Sequence, residues 1–479
     1  MNIFEVASLE KPITATIEIP GSKSYTNRAL VMSALTKGPV TLCNPLYSED
    51  TEAMIACLRT LGLRIEASPE SIIVYDDISI IQNKSYELFA KDSGTTIRFL
   101  LALLCLTSGT KVIKGNARLN ERPIKDLVDA LRLLGAKIDY LEKEGQSPLK
   151  IHSSVLRLGG EVTIDASVSS QFLSALLMIA PFLNLETVQD NKVMEDFDLE
   201  SLPMEVDHSK MVKAVPIGSD YGSKDCVNLL SSTAVSRLNG LKIHLRGELI
   251  SRPYVDMTIH AMREWGVDVF QMENGSYHIP CGQPYQKTQY VVEGDFSSAG
   301  YFFAIAALTG SIMTLKNLNP HSMQADRKFL NILAKMGNEI NMSDHGITII
   351  GKQILPQSLD MEDCPDQVQT MAVLAAFAKG VTKISGVRSL RLKETERIEA
   401  LKIELAKMGI KTEDTQNTLT IYGGTPHAAI IDTYGDHRMA MAFAVAGTKL
   451  PGMKIRDPEV VNKTFPTFWE KLKICSNRF

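Results

Sequence analysis

A short apolar helix with a polar start, followed by a small or Gly-bearing turn and a strand, recurs six times along this chain. The copies are GSKSYTNRALVMSALTKGPVTL from Gly21, DSGTTIRFLLALLCLTSGTKVI from Asp92, SSQFLSALLMIAPF from Ser169, FSSAGYFFAIAALTGSIMTL from Phe296, PDQVQTMAVLAAFAKGVTKI from Pro365 and GDHRMAMAFAVAGTKLPGMKI from Gly435. Counted from Ser22, Ser93, Ser169, Ser297, Asp366 and Asp436, the period is about 70 residues, the mark of one supersecondary unit used repeatedly. The interval from Ser169 to Ser297 is longer by about 55 residues, which places an insertion at about 186–240 in the third copy. That insert carries ten acidic against five basic residues and no period of its own, and reads as an acidic surface excursion rather than another unit.

Between these helices lies a second recurring element, an amphipathic helix ending in Leu, Met or Trp before Gly and followed by an alternating hairpin. It appears as CLRTLGLRIEASPESIIVY, ALRLLGAKIDYLEKEGQSPLKI, AMREWGVDVFQMENGSYHI, LAKMGNEINMSDHGITII and LAKMGIKTEDTQNTLTIYG. Gly62, Gly135, Gly266, Gly337 and Gly409 fall where a helix end requires a left-handed residue, so they are structural glycines and not phosphate loops. Helix, strand and hairpin repeated in this order predict a mixed α/β fold. At 479 residues the chain is long enough for two domains of three units each. Under such pseudo-symmetry the polar starts of equivalent helices converge, three from each half, on an interdomain cleft.

GSKSYTNRAL places a flexible turn, two serines, Lys23 and Arg28 at the mouth of an apolar helix. Ser22 or Ser24 is suited to cap it, and the free N–H groups together with the two cations form an anion cradle. A helix end contributes only about 0.3–1 kcal/mol to an anion, against about 1.5–3 for a charged hydrogen bond, so side chains must carry the affinity. Arg122 and Arg252 occupy matched Arg-Pro steps with Pro at a plausible first helical position. The dipole disfavours a cation there, which favours a functional reading of Arg122 over Arg252. In RLKETERIEALKIELAKMG, Lys393 and Arg397 fall four residues apart with Glu394 between them, and a carboxyl held among cations and a bound anion can be poised for proton transfer. YGDHRMAMAFAVAG sets Asp436, His437 and Arg438 before an apolar helix, with Arg438 suited to a second anion. Asp366 opens its helix either as a cap or as a base for a substrate hydroxyl, and Lys463 in NKTFPTFW adds a further cation.

The net charge of −4 provides no global basic field to recruit nucleic acid or membrane, so an anion site has to be a local concentration of Lys and Arg. Cys43, Cys57, Cys105, Cys226, Cys281, Cys364 and Cys475 form no CxxC pair and do not gather with histidines at metal-ligand spacing, a pattern of reduced thiols in a cytosol. The N-terminal stretch lacks a basic region followed by an apolar core, and no apolar run reaches the roughly 18 residues a membrane helix needs. A cytoplasmic location is expected.

Taken in order, GSKSYTNRAL, DSGTTIRFL, NERPIKDLVDALRLLGAKI, VSSQFLSALLMIAP, ELISRPYVD, EGDFSSAGYF, SMQAD, PDQVQTMA, RLKETERI, DTYGDHRMAMA and NKTFP resemble the 5-enolpyruvylshikimate-3-phosphate synthases, with only the insert unmatched. The resemblance implies a two-domain inside-out α/β barrel. One domain would comprise residues 1–21 and 294–479, the other residues 22–293. It implies transfer of the enolpyruvyl group of phosphoenolpyruvate to the 5-hydroxyl of shikimate 3-phosphate, with release of phosphate, in aromatic amino-acid biosynthesis. No metal and no organic cofactor are implied. The implied partners are these two small molecules, without nucleic acid or membrane, and the chain is expected to be a monomer and a glyphosate target.

Carried over by position, the resemblance assigns Lys23, Ser24, Arg28, Ser169, Ser170, Gln171, Ser251, Tyr254, Asp366, Ser389 and Lys393 to shikimate 3-phosphate. It assigns Lys23, Gly94, Arg122, Gln171, Arg397, Arg438 and Lys463 to phosphoenolpyruvate. Asp366 would take the proton of the 5-hydroxyl, Glu394 would protonate the methylene carbon, and Lys23 or His437 would assist phosphate departure. Asp92 and Ser389 stand where these synthases often carry Asn, so a carboxylate is expected near the phosphoenolpyruvate site. The competing readings are transfer to a UDP-sugar and non-catalytic binding of phosphorylated metabolites. The first would call for a Lys-Asn opening and a cysteine near Arg122, the second for a lost acid or base, and the sequence has none of these features.

Overall fold

The computed structural model describes residues 2–152, 156, 160–183, 240–343 and 346–476, so the acidic insert and Cys226 lie outside the described residues. The six repeated helices are α1 (Lys23–Ala34), α2 (Gly94–Leu104), α3 (Ser170–Ile179), α4 (Phe296–Thr309), α5 (Val368–Phe377) and α6 (His437–Gly447). Nearly all of their residues are buried, so each helix is surrounded by protein. Accordingly α2 packs on α1 and α3, and α4, α5 and α6 pack on one another, with sheets outside. This is the inside-out α/β barrel, formed twice.

Each inner helix feeds the central strand of one sheet. In the second unit Thr110–Lys114 pairs in parallel with Ser85–Phe89 and antiparallel with Leu149–Ile151, which closes a hairpin with Ile138–Tyr140. The same order recurs in the other four-stranded sheets. The parallel edge strand of each sheet normally comes from the preceding unit. In the first unit it is Gln289–Val291, from the end of the third, which pairs with Val40–Cys43 and closes the ring. In the fourth unit it is Thr14–Glu18, pairing with Ile312–Lys316. Among the described residues the sixth unit has no hairpin of its own, and Ile3–Glu5 joins Lys454–Arg456 and Ile430–Ile431 instead. Closing three units on themselves in this way covers edges that would otherwise template aggregation.

The glycines after the amphipathic helices adopt positive φ, from 79° at Gly409 to 107° at Gly62 and Gly135, as their positions predicted. The buried apolar residues fall into two clusters. One runs from Tyr25 to Val292, and the other joins Val6, Ile17 and Ile19 to residues from Phe296 to Cys475. The chain passes between them where Gly21 pairs antiparallel with Gly294. A Cβ at Gly21 would lie 2.1 Å from the Asn44 carbonyl oxygen and one at Gly294 2.2 Å from that of Asn317, so only glycine lets each crossing segment run this close to the loop beside it. The described cysteines Cys43, Cys57, Cys105, Cys281, Cys364 and Cys475 are free thiols. No helix among the described residues is long and apolar enough to cross a membrane.

Candidate active site

The starts of α1, α4, α5 and α6 meet around a small pocket lined by Lys23, Ser24, Asp295, Ser297, Ser298, Tyr301, Asp366, Arg438, Met441 and Thr464. Ser93, Ser169, Asp295 and Asp436 cap their helices through side-chain oxygens. Ser22 does not. It holds the cap position of α1, but its N–H is tied into the crossover by a 2.8 Å bond to Glu293 O, and its buried hydroxyl has no partner. Ser24 lies inside the first turn, so neither serine makes the predicted side-chain cap.

Arg397 is the hub of the C-terminal half. Only 1% exposed, it donates from Nε to Asp436 Oδ2 (2.7 Å), from Nη1 to Asp366 Oδ1 (3.2 Å) and from Nη2 to Glu394 Oε2 (2.9 Å). Arg438 Nη2 holds the other oxygen of Asp366 at 2.7 Å, and Lys463 Nζ lies 3.2 Å from Glu394 Oε1. Burial pushes both carboxyls up, but the cations outweigh it. Arg438, Lys393, Arg397 and Lys23 keep Asp366 well below the usual range, and Lys463, Arg397 and Arg122 do the same for Glu394. Asp366 sits in the turn Pro365–Gln367 before α5 with no capping bond to that helix, so it does not fill the cap role its sequence position offered.

Lys393 and Arg397 are not successive turns of one helix, as their spacing suggested. Glu396 accepts from the N–H groups of Ile398 and Glu399 and starts the helix Arg397–Lys407 there, leaving Lys393 extended in the preceding turn. Burial lowers the Lys393 amine to about 8. Burial, then Arg438, hold the His437 imidazole well below its ordinary value, so it is neutral at pH 7, and neither ring nitrogen has a hydrogen-bond partner. Ser389 is half-buried on the turn Arg388–Leu392 leading to Lys393.

In the N-terminal half, Lys23 Nζ pairs with Asp50 Oδ2 at 3.1 Å. Arg28 is spent mostly on protein. Its Nε donates to Thr258 Oγ1 (2.7 Å), Nη1 to Ser24 O (3.0 Å), and Nη2 to Tyr254 O (3.0 Å) and Ser174 Oγ (3.4 Å), while the guanidinium stacks over Phe99. It therefore fixes Ser24 and Tyr254 and supplies charge from behind. Gln171 receives a 2.6 Å bond from Arg98 Nη1 and donates to Thr95 Oγ1 at 3.3 Å. Gly94 leaves room for Arg122, whose Nη1 lies 2.7 Å from where a Cβ would stand and whose buried Nε has no partner.

Pro123 is not the first helical residue after Arg122. Ile124 donates to Gly145 O and delays the helix to Lys125–Leu133, so Arg122 stands on the loop, clear of the dipole. Arg252, by contrast, opens its helix, reaching Gln271 at 3.3 Å and Asp256 at 3.7 Å on the surface. Ser251 precedes it with a left-handed backbone, φ 52°. The carboxylate expected near the phosphoenolpyruvate residues turns away, since Asp92 Oδ2 accepts from Asn116 Nδ2 (2.7 Å) at the exposed surface. Its carbonyl instead receives the Lys463 ammonium across the cleft at 3.2 Å, and Tyr254 OH crosses likewise to Asp366 Oδ2 at 3.4 Å.

Lys23, Asp366, Glu394, Arg397, His437, Arg438 and Lys463 thus gather in one charged cluster, with Lys393 beside them and Gln171, Gly94 and Arg122 on the facing half. Sequence reasoning missed Asp50, Arg98 and Asp326. Arg98 was visible inside DSGTTIRFL, where a cation in an apolar helix demands a partner. Asp326 is buried with a raised carboxyl pKa, caused by desolvation and then by Asp366, and accepts from the Ser297 hydroxyl.

The family described as EPSP synthase (3-phosphoshikimate 1-carboxyvinyltransferase) matches residues 8–209 and 197–472 of this chain. The 3-phosphoshikimate 1-carboxyvinyltransferase of Nostoc punctiforme is 37% identical over 474 residues, covering 98% of both chains. That of Photobacterium profundum is 36% identical over 465 residues, covering 96% of both. The EPSP synthase structure from Acinetobacter baumannii matches 99% of this chain and 98% of its own with a TM-score of 0.72 at 21% identity, a likeness of fold.

Proposed function

The chain belongs to the EPSP synthase family, and from that premise we propose how its residues divide the work. It is an enzyme, a 3-phosphoshikimate 1-carboxyvinyltransferase, which transfers the enolpyruvyl group of phosphoenolpyruvate to the 5-hydroxyl of shikimate 3-phosphate and releases phosphate. In our reading Ser24, Ser169, Ser170, Gln171, Ser251, Tyr254, Ser389 and Lys393 hold shikimate 3-phosphate, with Arg28 behind them. Lys23, Gly94, Arg122, Arg397, Arg438 and Lys463 hold phosphoenolpyruvate, with Gln171 shared. Both substrates are polyanions, and a cationic cleft is needed before they can meet. Residues 22–293 form one domain and residues 1–21 with 294–479 the other, closing on the ligands in a monomer of the cytoplasm.

The observation that supports the chemistry is that one guanidinium, Arg397, holds Asp366 on Nη1 and Glu394 on Nη2. Asp366, kept ionised by its cations, accepts the 5-hydroxyl proton as that oxygen attacks the enol carbon, and Glu394 gives a proton to the methylene carbon. Glu394, left as a carboxylate, then takes a proton back from the methyl group as phosphate departs, which restores the double bond, with Lys23 and neutral His437 beside the leaving group.

A carboxyl held well below its usual range is a poor acid, and the substrate corrects this. Lys463, Arg397 and Arg122 depress Glu394, and they are the cations given to phosphoenolpyruvate. Once its carboxylate and phosphate neutralise them, burial prevails and Glu394 takes up a proton.

The test is phosphate release by purified protein given phosphoenolpyruvate and either shikimate 3-phosphate or UDP-N-acetylglucosamine. Release with shikimate 3-phosphate alone is expected, and release only with the UDP-sugar would overturn the acceptor. Separate Asp366→Asn and Glu394→Gln variants should each lose about 10²–10⁴ of the rate, as removal of a general acid or base does. Unchanged rates would remove these assignments.

A further inference from the structure

Arg118, outside the residues assigned above, also reaches across the cleft. Its Nε donates to the carbonyl of Glu394 and its Nη2 to that of Lys393, each at 3.3 Å. We propose that Arg118 is a closure latch, a positioning residue that sets the 393–394 turn, and thereby the proton donor, when the two halves meet. The inference rests on the reading of Glu394 as that donor.

Arg118 stands on a braced platform, the short helix Ala117–Asn120, four residues before Arg122. Asn120 Oδ1 accepts from Gly115 N and from Ser147 Oγ at 2.8 Å, and Gln146 Nε2 donates to Glu121 O at 3.1 Å. The turn it grips is less regular, because Lys393 is extended between the turn Arg388–Leu392 and the helix Arg397–Lys407. Nε and Nη2 form one edge of the guanidinium fork, so successive carbonyls can be held in a fixed geometry that a lysine cannot copy. Charge does not drive this contact, since Lys393 is itself a cation and Glu121 already pairs with Arg118 Nη1 at 3.0 Å. These bonds join the two halves of the chain, so they depend on closure and tie the loop bearing Arg122 to the turn bearing Glu394. Arg118 remains 49% exposed, so shortening it leaves no buried gap.

The experiment compares Arg118→Ala and Arg118→Lys with the wild-type enzyme. Arg118→Ala should lower kcat about tenfold, as loss of charged hydrogen bonds does. Its affinity for shikimate 3-phosphate alone and its melting temperature should be unchanged, and Arg118→Lys should recover only part of the rate. With shikimate 3-phosphate and inorganic phosphate bound, hydrogen exchange over residues 390–396 should slow in the wild type and not in Arg118→Ala. A kcat within twofold of wild type with protection retained would overturn the latch, as would equal losses of activity and melting temperature in both variants. If Glu394→Gln keeps full activity, the reading of Glu394 falls instead. Exchange alone then decides the latch, upheld if protection is lost in Arg118→Ala and overturned if it is retained.

Discussion

Gly94→Ala places a methyl group where the Arg122 guanidinium now lies. The new Cβ would stand 2.7 Å from Arg122 Nη1, 3.1 Å from its Cζ and 3.1 Å from Arg98 Nη1. A relaxed carbon contact needs about 3.5 Å, so the Arg122 head must withdraw by about 0.8 Å. The far end of a flexible side chain can do so, and Gly94 is the first residue of α2, where Ala is the better helix former. The fold should keep its melting temperature while Arg122 loses its aim. Loss of one charge-assisted hydrogen bond costs about 1.5–3 kcal/mol, which is about a 10- to 150-fold rise in KM for phosphoenolpyruvate. Initial rates of phosphate release against phosphoenolpyruvate at saturating shikimate 3-phosphate measure it, with KM for shikimate 3-phosphate staying within twofold. In an Arg122→Ala background the glycine substitution should add almost nothing, because the two changes remove one interaction. An unchanged KM, or full additivity, would refute the reasoning.

Three further outcomes follow from the same cluster and the crossover. Phosphoenolpyruvate binding should take up protons, through Glu394, so calorimetric enthalpies in buffers of different ionisation heat should differ. Equal enthalpies would count against substrate loading of the acid. Lys393 is protonated below about 8 and neutral above, so shikimate 3-phosphate should bind best below that pH and weaken by up to tenfold per pH unit above it, a dependence that Lys393→Arg should abolish. Gly294→Ala drives a Cβ to 2.2 Å from a backbone oxygen that cannot yield as a side chain can, and thermal denaturation should show a loss of about 1–3 kcal/mol or more.

Much of this was legible in the chain. The six apolar helices, the hairpins and the left-handed glycines after Trp265-type helix ends are properties of neighbouring residues, and α1 to α6 and the φ of Gly62 or Gly266 follow from them. The resemblance brought Asp366, Glu394, Arg397, Arg438 and Lys463 to one place, where the structure joins them by ion pairs. What failed was local bonding. Ser22 was a plausible cap until Glu293 claimed its backbone, and Pro123 a plausible helix start until Gly145 held Ile124.

The sequence by itself determined the period, the class of fold and the residue types of the site, because hydrophobic spacing and turn chemistry act over a few residues. Only tertiary structure decided which charges are free to act. Arg28 and Arg397 look alike in sequence, yet Arg28 is bonded chiefly to Thr258, Ser24, Tyr254 and Ser174, while Arg397 joins Asp366, Glu394 and Asp436. Apart from Ser24 and Glu394, those partners are far from their arginine along the chain, and the strength of a charge in a buried cleft depends on what lies within a few ångströms of it.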